Sequence, residues 1–479
     1  MAITSASGID AAPRKQTLAS NYVDFTSSAT EGWAQQYLPD LMEKEAEVYG
    51  KRTIAGFLAQ VGAEEPSAAD RVIWSEQGRL HLAYTAKYVS GNNKYEIEND
   101  IDGNDVGTTP GLRVGDMVIM SLANATAKGY VSSVDPDGDN GAEFEVLAYG
   151  AANMATALGS TATTSELIRV LVIGSEFEKG SGARTAANAP KFKSHSNKHI
   201  ILRDYYEVSG SDASAIGWVE ISGEEGQNGY LWYLKAEGDT RARFADYLEM
   251  TMLEAETAVD GAGAIGGTDQ STSDGTQGLF QAITVRGHQT TGITGVNAAT
   301  DLAEFDAILA VFDANGAIEE NMMFVDRTTS LAIDDMLASM NTYGAGGTSY
   351  GVFENDEDMA LNLGFSGFRR GSYDFYKSDF KYLNDKGTRG GLNDTVNNIR
   401  GVVIPAGVSS VYDEQLGRNM KRPFLHVRFR ASETESRKMK TWVTGSVGAA
   451  TSGIDSMQVH YLSERCLITQ GANNFMLMN

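Results

Sequence analysis

The stretch Tyr230 to Val259, YLWYLKAEGDTRARFADYLEMTMLEAETAV, decides the fold. Phe244, Leu248, Met252, Ala255 and Val259 recur at intervals of four and three, which places them on one face of an α-helix and requires that face to be buried. On the other flank Glu237 precedes Arg241 by four residues, an order that supports a helix slightly and keeps its outer face wet. Proline is absent throughout, although Gly238 weakens the first turns. Some thirty helical residues at 1.5 Å each would span about 45 Å, longer than a small domain is wide. The pattern predicts a spine helix; its plainer alternative is an ordinary core helix of a mid-sized enzyme.

At 479 residues the chain exceeds one hydrophobic core, so two to four domains are expected. A hydrophobic content of 42% is that of a globular protein, not a disordered or membranous one. No run of about 18 apolar residues occurs, and the start MAITSASGIDAAPRK lacks the basic-then-apolar order of a secretion signal, so folding in a cytosol is expected. The single Cys466 excludes an intramolecular disulfide and a cysteine metal cluster. A formal charge of −24 argues against general affinity for nucleic acid or anionic lipid. With 52 glycines and only 8 prolines, flexible turns and close backbone approaches are expected in place of stiff linkers.

In chain order, the first thirty residues are small and polar, consistent with an extended arm ordered by a neighbour. EGWAQQYLPDLMEKEAEVYG (Glu31 to Gly50) reads as helix interrupted near Pro39, and KRTIAGFLAQ as helical or mixed. RVIWSEQGRLHLAYTAKYV alternates and is rich in aromatic and β-branched residues, which predicts strand. From Tyr88 to Gly174, GLRVGDMVIM, KGYVSSV, EFEVLAY and LIRVLVIG are separated by DPDGDNG and small-residue loops. That spacing predicts an inserted small β-barrel.

A Gly/Ala/Ser loop follows, and Ile200 to Val208 returns to strand. Within it Lys191, Lys193, Lys198 and Arg203 occur with no acid before Asp204, a positive stripe in an acidic chain. It suits an acidic neighbour or phosphate; a solvated face is the alternative.

The spine ends at DGAGAIGGTDQSTSDGTQG, a flexible loop. LFQAITVRG opens another compact region, in which DLAEFDAILAVF reads as an amphipathic helix and MMFVDR as a strand. TSLAIDDMLASM reads as a helix with Thr329 or Ser330 as candidate cap. GFSGFRRGSYDFYKSDFKYLND, NIRGVVIPAG, RPFLHVRFRAS, KTWVTGSV and MQVHYLSERCLITQGANNFMLMN read as strands. This order implies a mixed α+β body and not a doubly wound sheet.

Candidate chemistry fails position by position. Gly261, Gly263 and Gly266 have dinucleotide-loop spacing, but a helix precedes them where a strand is required. Asp135, Asp137 and Asp139 resemble the start of a calcium loop, yet Val146 stands where the bidentate Glu belongs and Asn140 where Gly belongs, so a hairpin turn is the better reading, with weak cation binding as the alternative. His81, His195, His199, His288, His426 and His460 are scattered; the i, i+4 pair His195 and His199 lies in loop entering strand, where that spacing does not join two ligands. HExxH, GxSxG and P-loop motifs are absent, and Cys466 sits in a strand pattern as a small buried hydrophobe. Asp356, Glu357 and Asp358 read as a solvated loop. Arg369 with Arg370, and Lys421 with Arg422, are isolated pairs suited to ion pairs across a subunit boundary, each worth little when exposed. No catalytic residue, cofactor site or metal site is assigned, so an enzyme is not expected.

A long chain without a catalytic constellation, with a spine helix, reaching segments and an inserted barrel, resembles the major capsid protein of tailed double-stranded DNA phages, the Hong Kong 97-type fold. The resemblance lies in element order over about Arg71 to Asn479. IILRDYYEVSG looks like the strand returning from an extended loop into the spine, TSDGTQGLFQAI like the segment after it, DLAEFDAILAVFDANGAIEENMMFVDRTTSLAIDDML like the axial helix, strand and helix, and VHYLSERCLITQGANNFML like the closing strand.

It implies an N-terminal arm and helices over 1–70, the start of the extended β-loop over 71–87, the inserted barrel over 88–175 and the loop's return over 176–227. The spine of a peripheral domain would occupy 228–260, an axial domain 279–425 and peripheral strands 426–479. The barrel departs from the minimal pattern; larger capsid proteins, including those of some Bacteroidetes and crAss-like phages, carry such insertions. The resemblance further implies hexamers and pentamers of the chain itself, portal, scaffolding and decoration proteins as partners, packaged DNA on the inner face without sequence specificity, no membrane, and assembly in the host cytoplasm into a virion. An encapsulin-like bacterial compartment shell shares the fold and is the nearest alternative; an unrecognised hydrolase or carbohydrate-binding protein is the other.

Overall fold

The structure is a computed structural model that describes residues 56–58, 63–79, 81–90, 93–107, 110–122, 125–138, 141–159, 167–182, 192–214, 231–258, 275–342, 366–393, 398–406, 408–413, 418–445 and 452–479. The expected helix at Glu31 to Gly50, the three glycines after the spine, Asp139, the acidic run at 356–358 and Lys191 lie outside them.

The first strands are β1 (Ala63–Ser67), β2 (Arg71–Gln77), β3 (Ala83–Ser90), β4 (Lys94–Asp100), β5 (Asp116–Leu122), β6 (Ala125–Gly138), β7 (Gly141–Ala148) and β8 (Leu167–Ser175). After β9 (Phe192–Lys198) and β10 (Ile200–Ser209) comes the spine helix, Leu231–Glu254. A helix at Leu279–Arg286 leads to β11 (His288–Thr290), the helix Ala298–Ala314, β12 (Glu320–Val325) and the helix Arg327–Thr342. The chain ends through β13 (Ser366–Arg370), β14 (Tyr373–Asp379), β15 (Gly401–Pro405), β16 (Val408–Asp413), β17 (Arg418–Pro423), β18 (Leu425–Arg430), β19 (Lys440–Gly445), β20 (Ser456–Thr469) and β21 (Met476–Met478). The protein is mixed α+β.

The spine buries Phe244, Leu248 and Met252, on the face its spacing called for, and Leu253 beside them; Ala255 is half-buried and Val259 lies outside the described residues. Phe244 and Leu248 pack on Val459 and Tyr461 of β20, while Met252 and Leu253 enter a larger core with Phe280, Phe324, Leu467 and Phe475. The helix stops at Glu254, short of Val259, and its 24 residues span about 36 Å. Its end is set from afar: Gln281 Oε1 accepts the N–H of Thr257 at 3.0 Å, and Thr257 bridges to Gly275. Gly275 has φ +70°, and a Cβ there would lie 2.6 Å from the Glu256 carbonyl oxygen.

One sheet runs β1-β18-β20-β10, with β19 also on β20, and the spine helix lies on one of its faces. β1 lies parallel to β18, Ala63 opposite His426, so residues expected in the arm belong to this sheet. A six-stranded mixed sheet, β11-β21-β15-β12-β14-β13, has the helices Ala298–Ala314 and Arg327–Thr342 on one face, packed through Phe305, Phe312 and Ile333. Its other face shares the core of the spine through Phe324, Val402 and Leu477. The terminal Met476–Met478 pairs with β15 and β11 in this second sheet, not with the strands of the first.

The alternating stretch from Arg71 breaks after Gln77 into two strands, β2 and β3, with different partners. Strands β3-β4-β7-β6-β5-β8 close a barrel over 83–175, which starts at Ala83 and not at Tyr88 because Tyr84 and Ala86 already point into its core. Asp135, Asp137 and Gly138, expected in a loop, extend β6, and Gly138 pairs with Gly141. The helix after β12 is capped by Asp326, whose Oδ1 accepts the Thr329 N–H at 2.8 Å; Thr329 and Ser330 are buried inside it. KYLN, read as strand, is a helical turn at Lys381–Asn384.

Candidate assembly surfaces

Among the described residues strands β2 and β9 pair only with each other, Arg71 opposite Lys198 and Gln77 opposite Phe192, and the barrel lies between them in sequence. A two-stranded ribbon is marginal by itself. This one is held at its base. Trp74 is buried against Cys466 and Ile468. Its Nε1 donates to Glu76 Oε1 at 2.9 Å, and the Gly471 N–H donates to the same oxygen at 3.0 Å. The Arg286 guanidinium lies 5.5 Å from the Trp74 ring centroid and 3.5 Å from Glu76. Burial, with Arg286 nearby, lowers the pKa of His195, which stands 3.6 Å from Glu76 Oε2. Neutral His195 therefore adds no cation to this base. On the ribbon face away from Trp74, Ile73 and Phe192 are 66% and 62% exposed.

On the sheet face away from the spine, Tyr205, His460 and Trp442 stack across β10, β20 and β19, with centroid separations of 5.9 and 5.1 Å. His460 Nε2 meets Thr444 Oγ1 at 2.7 Å. Arg203, exposed beside Tyr205, shares this face. Thus the stripe divides: Lys193 and Lys198 are on the ribbon, Lys193 opposite Glu76, while Arg203 is on the sheet.

Arg370 is engaged within its own chain, its Nε and Nη2 donating to the two oxygens of Asp306 at 2.6 and 2.7 Å. That bidentate pair gives Arg370 a partner within its own chain. Arg369 lies exposed, 3.6 Å from Asp374. Lys421 and Arg422 sit in β17 opposite Ser410 and Ser409.

Among the described residues no three His, Cys, Asp or Glu side chains gather as a metal site. His195 and His199 are separated by strand geometry, and His199 Nδ1 faces the Asp70 carbonyl at 3.1 Å. Burial pushes the Cys466 thiol up to about 12, which leaves it protonated and a poor nucleophile. Asp137 N–H donates to Asp135 Oδ1 at 3.3 Å within β6. No helix of the described residues is long and apolar enough to cross a membrane.

Sequence reasoning missed Asn197, which bolts the ribbon to Gln277 and Leu467, and Glu249 of the spine, which holds Gly56 and Leu58. Their partners lie 80 to 270 residues away, and no local pattern announces them.

No family model and no curated protein matches the sequence. Solved structures similar to it include one titled for Mycobacterium phage Ogopogo, at 12% identity and TM-score 0.39, over 92% of this chain and 96% of that one. The capsid of Cyanophage P-SCSP1u is similar at 8% identity and TM-score 0.37, over 92% of each chain. The asymmetric unit of the bacteriophage PhiM1 mature capsid is similar at 8% identity and TM-score 0.37, over 93% of this chain and 94% of that one. Identities this low and TM-scores below 0.4 leave the function to be argued from the chain's own geometry.

Proposed function

We propose that this chain is the repeating subunit of a closed shell, the major capsid protein of a tailed double-stranded DNA phage, built on the Hong Kong 97-type plan. The observation that carries the reading is the β2–β9 ribbon: fixed on one face by Trp74 and Asn197, it leaves Ile73 and Phe192 exposed on the other. Such side chains are stabilised only when another molecule covers them. In this reading the ribbon is the extended loop, the barrel its insertion, and the spine with the β1-β18-β20-β10 sheet the peripheral domain. The six-stranded sheet with its two helices is the axial domain.

Copies would meet in hexamers and pentamers through heterologous contacts, individually ordinary and stabilising by repetition. Scaffolding, portal and decoration proteins would join them, with assembly in the host cytoplasm. A charge of −24 disfavours tight adhesion of packaged DNA to the wall and makes assembly sensitive to salt, since screening acts over about 8 Å at physiological ionic strength.

Electron microscopy and sedimentation of the full chain, expressed with the genes that flank it, test this. Closed particles are expected. A monodisperse monomer with a protected ribbon would refute the shell. Particles filled with DNA separate a phage capsid from an encapsulin-like compartment, which would hold a cargo enzyme.

A further inference from the structure

Small antiparallel barrels ordinarily alternate, apolar side chains inward and polar ones outward. On β3, Tyr84 and Ala86 point inward and Thr85 and Lys87 outward, as expected. The wall formed by β8, β5, β6 and β7 breaks the rule. Val118 and Met120 of β5 are buried inside, yet the outward Met117 and Ile119 are again apolar.

Pairing places these outward residues in two adjacent rows. In one, Leu171 of β8 opposes Ile119 of β5, which opposes Lys128 of β6; the Tyr149 N–H donates to the Lys128 carbonyl at 3.1 Å. In the other, Met117 opposes Tyr130, which opposes Leu147, and Ile173 is the extra residue where the β5–β8 register shifts. Leu147 and Tyr149 are 47% and 54% exposed. Four strands at 4.7–4.9 Å make a strip roughly 15 Å across. A contiguous apolar strip of this kind marks a contact surface.

Charge identifies what covers it. Residues 83–175 carry twelve Asp and Glu against five Lys and Arg. Lys87 and Lys94 are paired with Glu98 and Glu143. Lys128 lies within the strip and Arg169 borders it, both exposed, and among the described residues neither pairs with an acid. Two cations in an apolar field suit an acidic protein segment with an apolar element; a nucleic acid would require a denser basic surface.

Such a segment stands at the other end of the same barrel, where the β6–β7 hairpin exposes Asp135, Pro136 and Asp137. Along β6 Asp135 and Asp137 are seven and nine residues from Lys128, roughly 23–30 Å, so a copy cannot lay its own hairpin on its own wall. A second copy can.

We infer that the outer wall of β8, β5, β6 and β7 is a docking surface for the β6–β7 hairpin of a second copy of this chain, a head-to-tail barrel contact. The inference rests on the shell reading above. Contacts of this heterologous type close rings when the rotation permits.

Charge exchange in the full chain tests it. The double variant Lys128→Glu, Arg169→Glu should lose particles while keeping the thermal unfolding of the unmodified chain. Asp135→Lys with Asp137→Lys should lose them as well. The four changes together should bring particles back, because the pairs are restored with inverted sign. Leu147→Asp with Leu171→Asp should abolish particles even in high salt, where charge effects are screened. Particles from either charge double in normal yield, or failure of the fourfold variant to restore them, would overturn the barrel contact while leaving the shell intact. If the unmodified chain forms no particles, the shell reading fails and the contact fails with it.

Discussion

Asn197 donates from Nδ2 to the carbonyl oxygen of Leu467 at 2.6 Å, joining the ribbon to β20 across 270 residues of sequence. The same amide donates to the Gln277 carbonyl at 2.9 Å, and its Oδ1 accepts from Gln277 N at 2.8 Å, Thr276 Oγ1 at 3.1 Å and Lys198 N at 2.9 Å. Both ends of a buried amide are therefore satisfied. Asn197→Ala strands several buried partners at once and should cost about 2–4 kcal/mol, since each orphaned buried group costs roughly 1–3. Denaturant unfolding gives the magnitude, and hydrogen exchange should show β2 and β9 losing protection before β20. Unchanged ribbon protection would mean that Trp74 alone holds the base.

Glu249 lies on the spine, and its two carboxylate oxygens accept the N–H groups of Gly56 at 3.1 Å and Leu58 at 3.2 Å. Burial raises its pKa more than those bonds and the nearby Arg465 lower it. The folded chain then binds this proton more tightly than the unfolded chain. Its contribution to stability is full below the unfolded carboxylate range and is lost as pH rises through the raised value. Glu249→Gln removes this titration and orphans one N–H, at about 1–2 kcal/mol. Thermal unfolding of both proteins from pH 4 to 8 should therefore diverge, the parent losing stability relative to the variant as pH rises. Parallel curves would contradict the raised pKa.

Lys377 of β14 has a buried side chain, 7% exposed, whose Nζ donates to the Ser330 carbonyl at 3.1 Å and pairs with Asp334, which is 53% exposed. The two sides of such a pair are unequal. Asp334→Ala leaves an ammonium in the interior with one neutral acceptor, whereas adding Lys377→Met removes the charge that needed a partner. The single variant should lose about 1–3 kcal/mol, discounted because Asp334 faces water, and the double should recover most of it. Chemical denaturation of the two decides the matter; equal losses would mean that packing, not charge, dominates this site.

What could be seen in the sequence was what repeats locally. Phe244, Leu248 and Met252 declare a buried helix face whatever lies opposite, and Val118, Met120, Ile168 and Val170 declare strands by alternation. What could not be seen was set by distant partners. The spine's end depends on Gln281 and Gly275, and the place of Ala63 in a sheet depends on His426. Met476–Met478, three residues long, has no period at all and takes its sheet from β15 and β11. For the assembly surfaces, the stripe was visible as charge, but its division between ribbon and sheet was not. The pairing of Arg370 with Asp306 was not visible either, because the two lie 64 residues apart.

The stripe yields the last test. Lys193 stands exposed on β9 and Lys198 ends the same strand; Lys191 lies outside the described residues. Glu76, the acid opposite Lys193, is already engaged by Trp74, Gly471 and Arg286. Lys193 thus presents positive charge on the ribbon that a neighbouring acidic copy would complement, and the chain's surplus of acids supplies such copies. Reversing Lys191, Lys193 and Lys198 to Glu should stop particle formation while circular dichroism stays that of the parent, and Lys193→Glu alone, at an exposed charge, should leave thermal unfolding unchanged. In the unmodified chain, assembly should weaken as salt rises, with screening shortening the reach of these charges. Normal particles from the reversed variant would show that the stripe is a solvated face and that the ribbon is held in the shell by Ile73 and Phe192 instead.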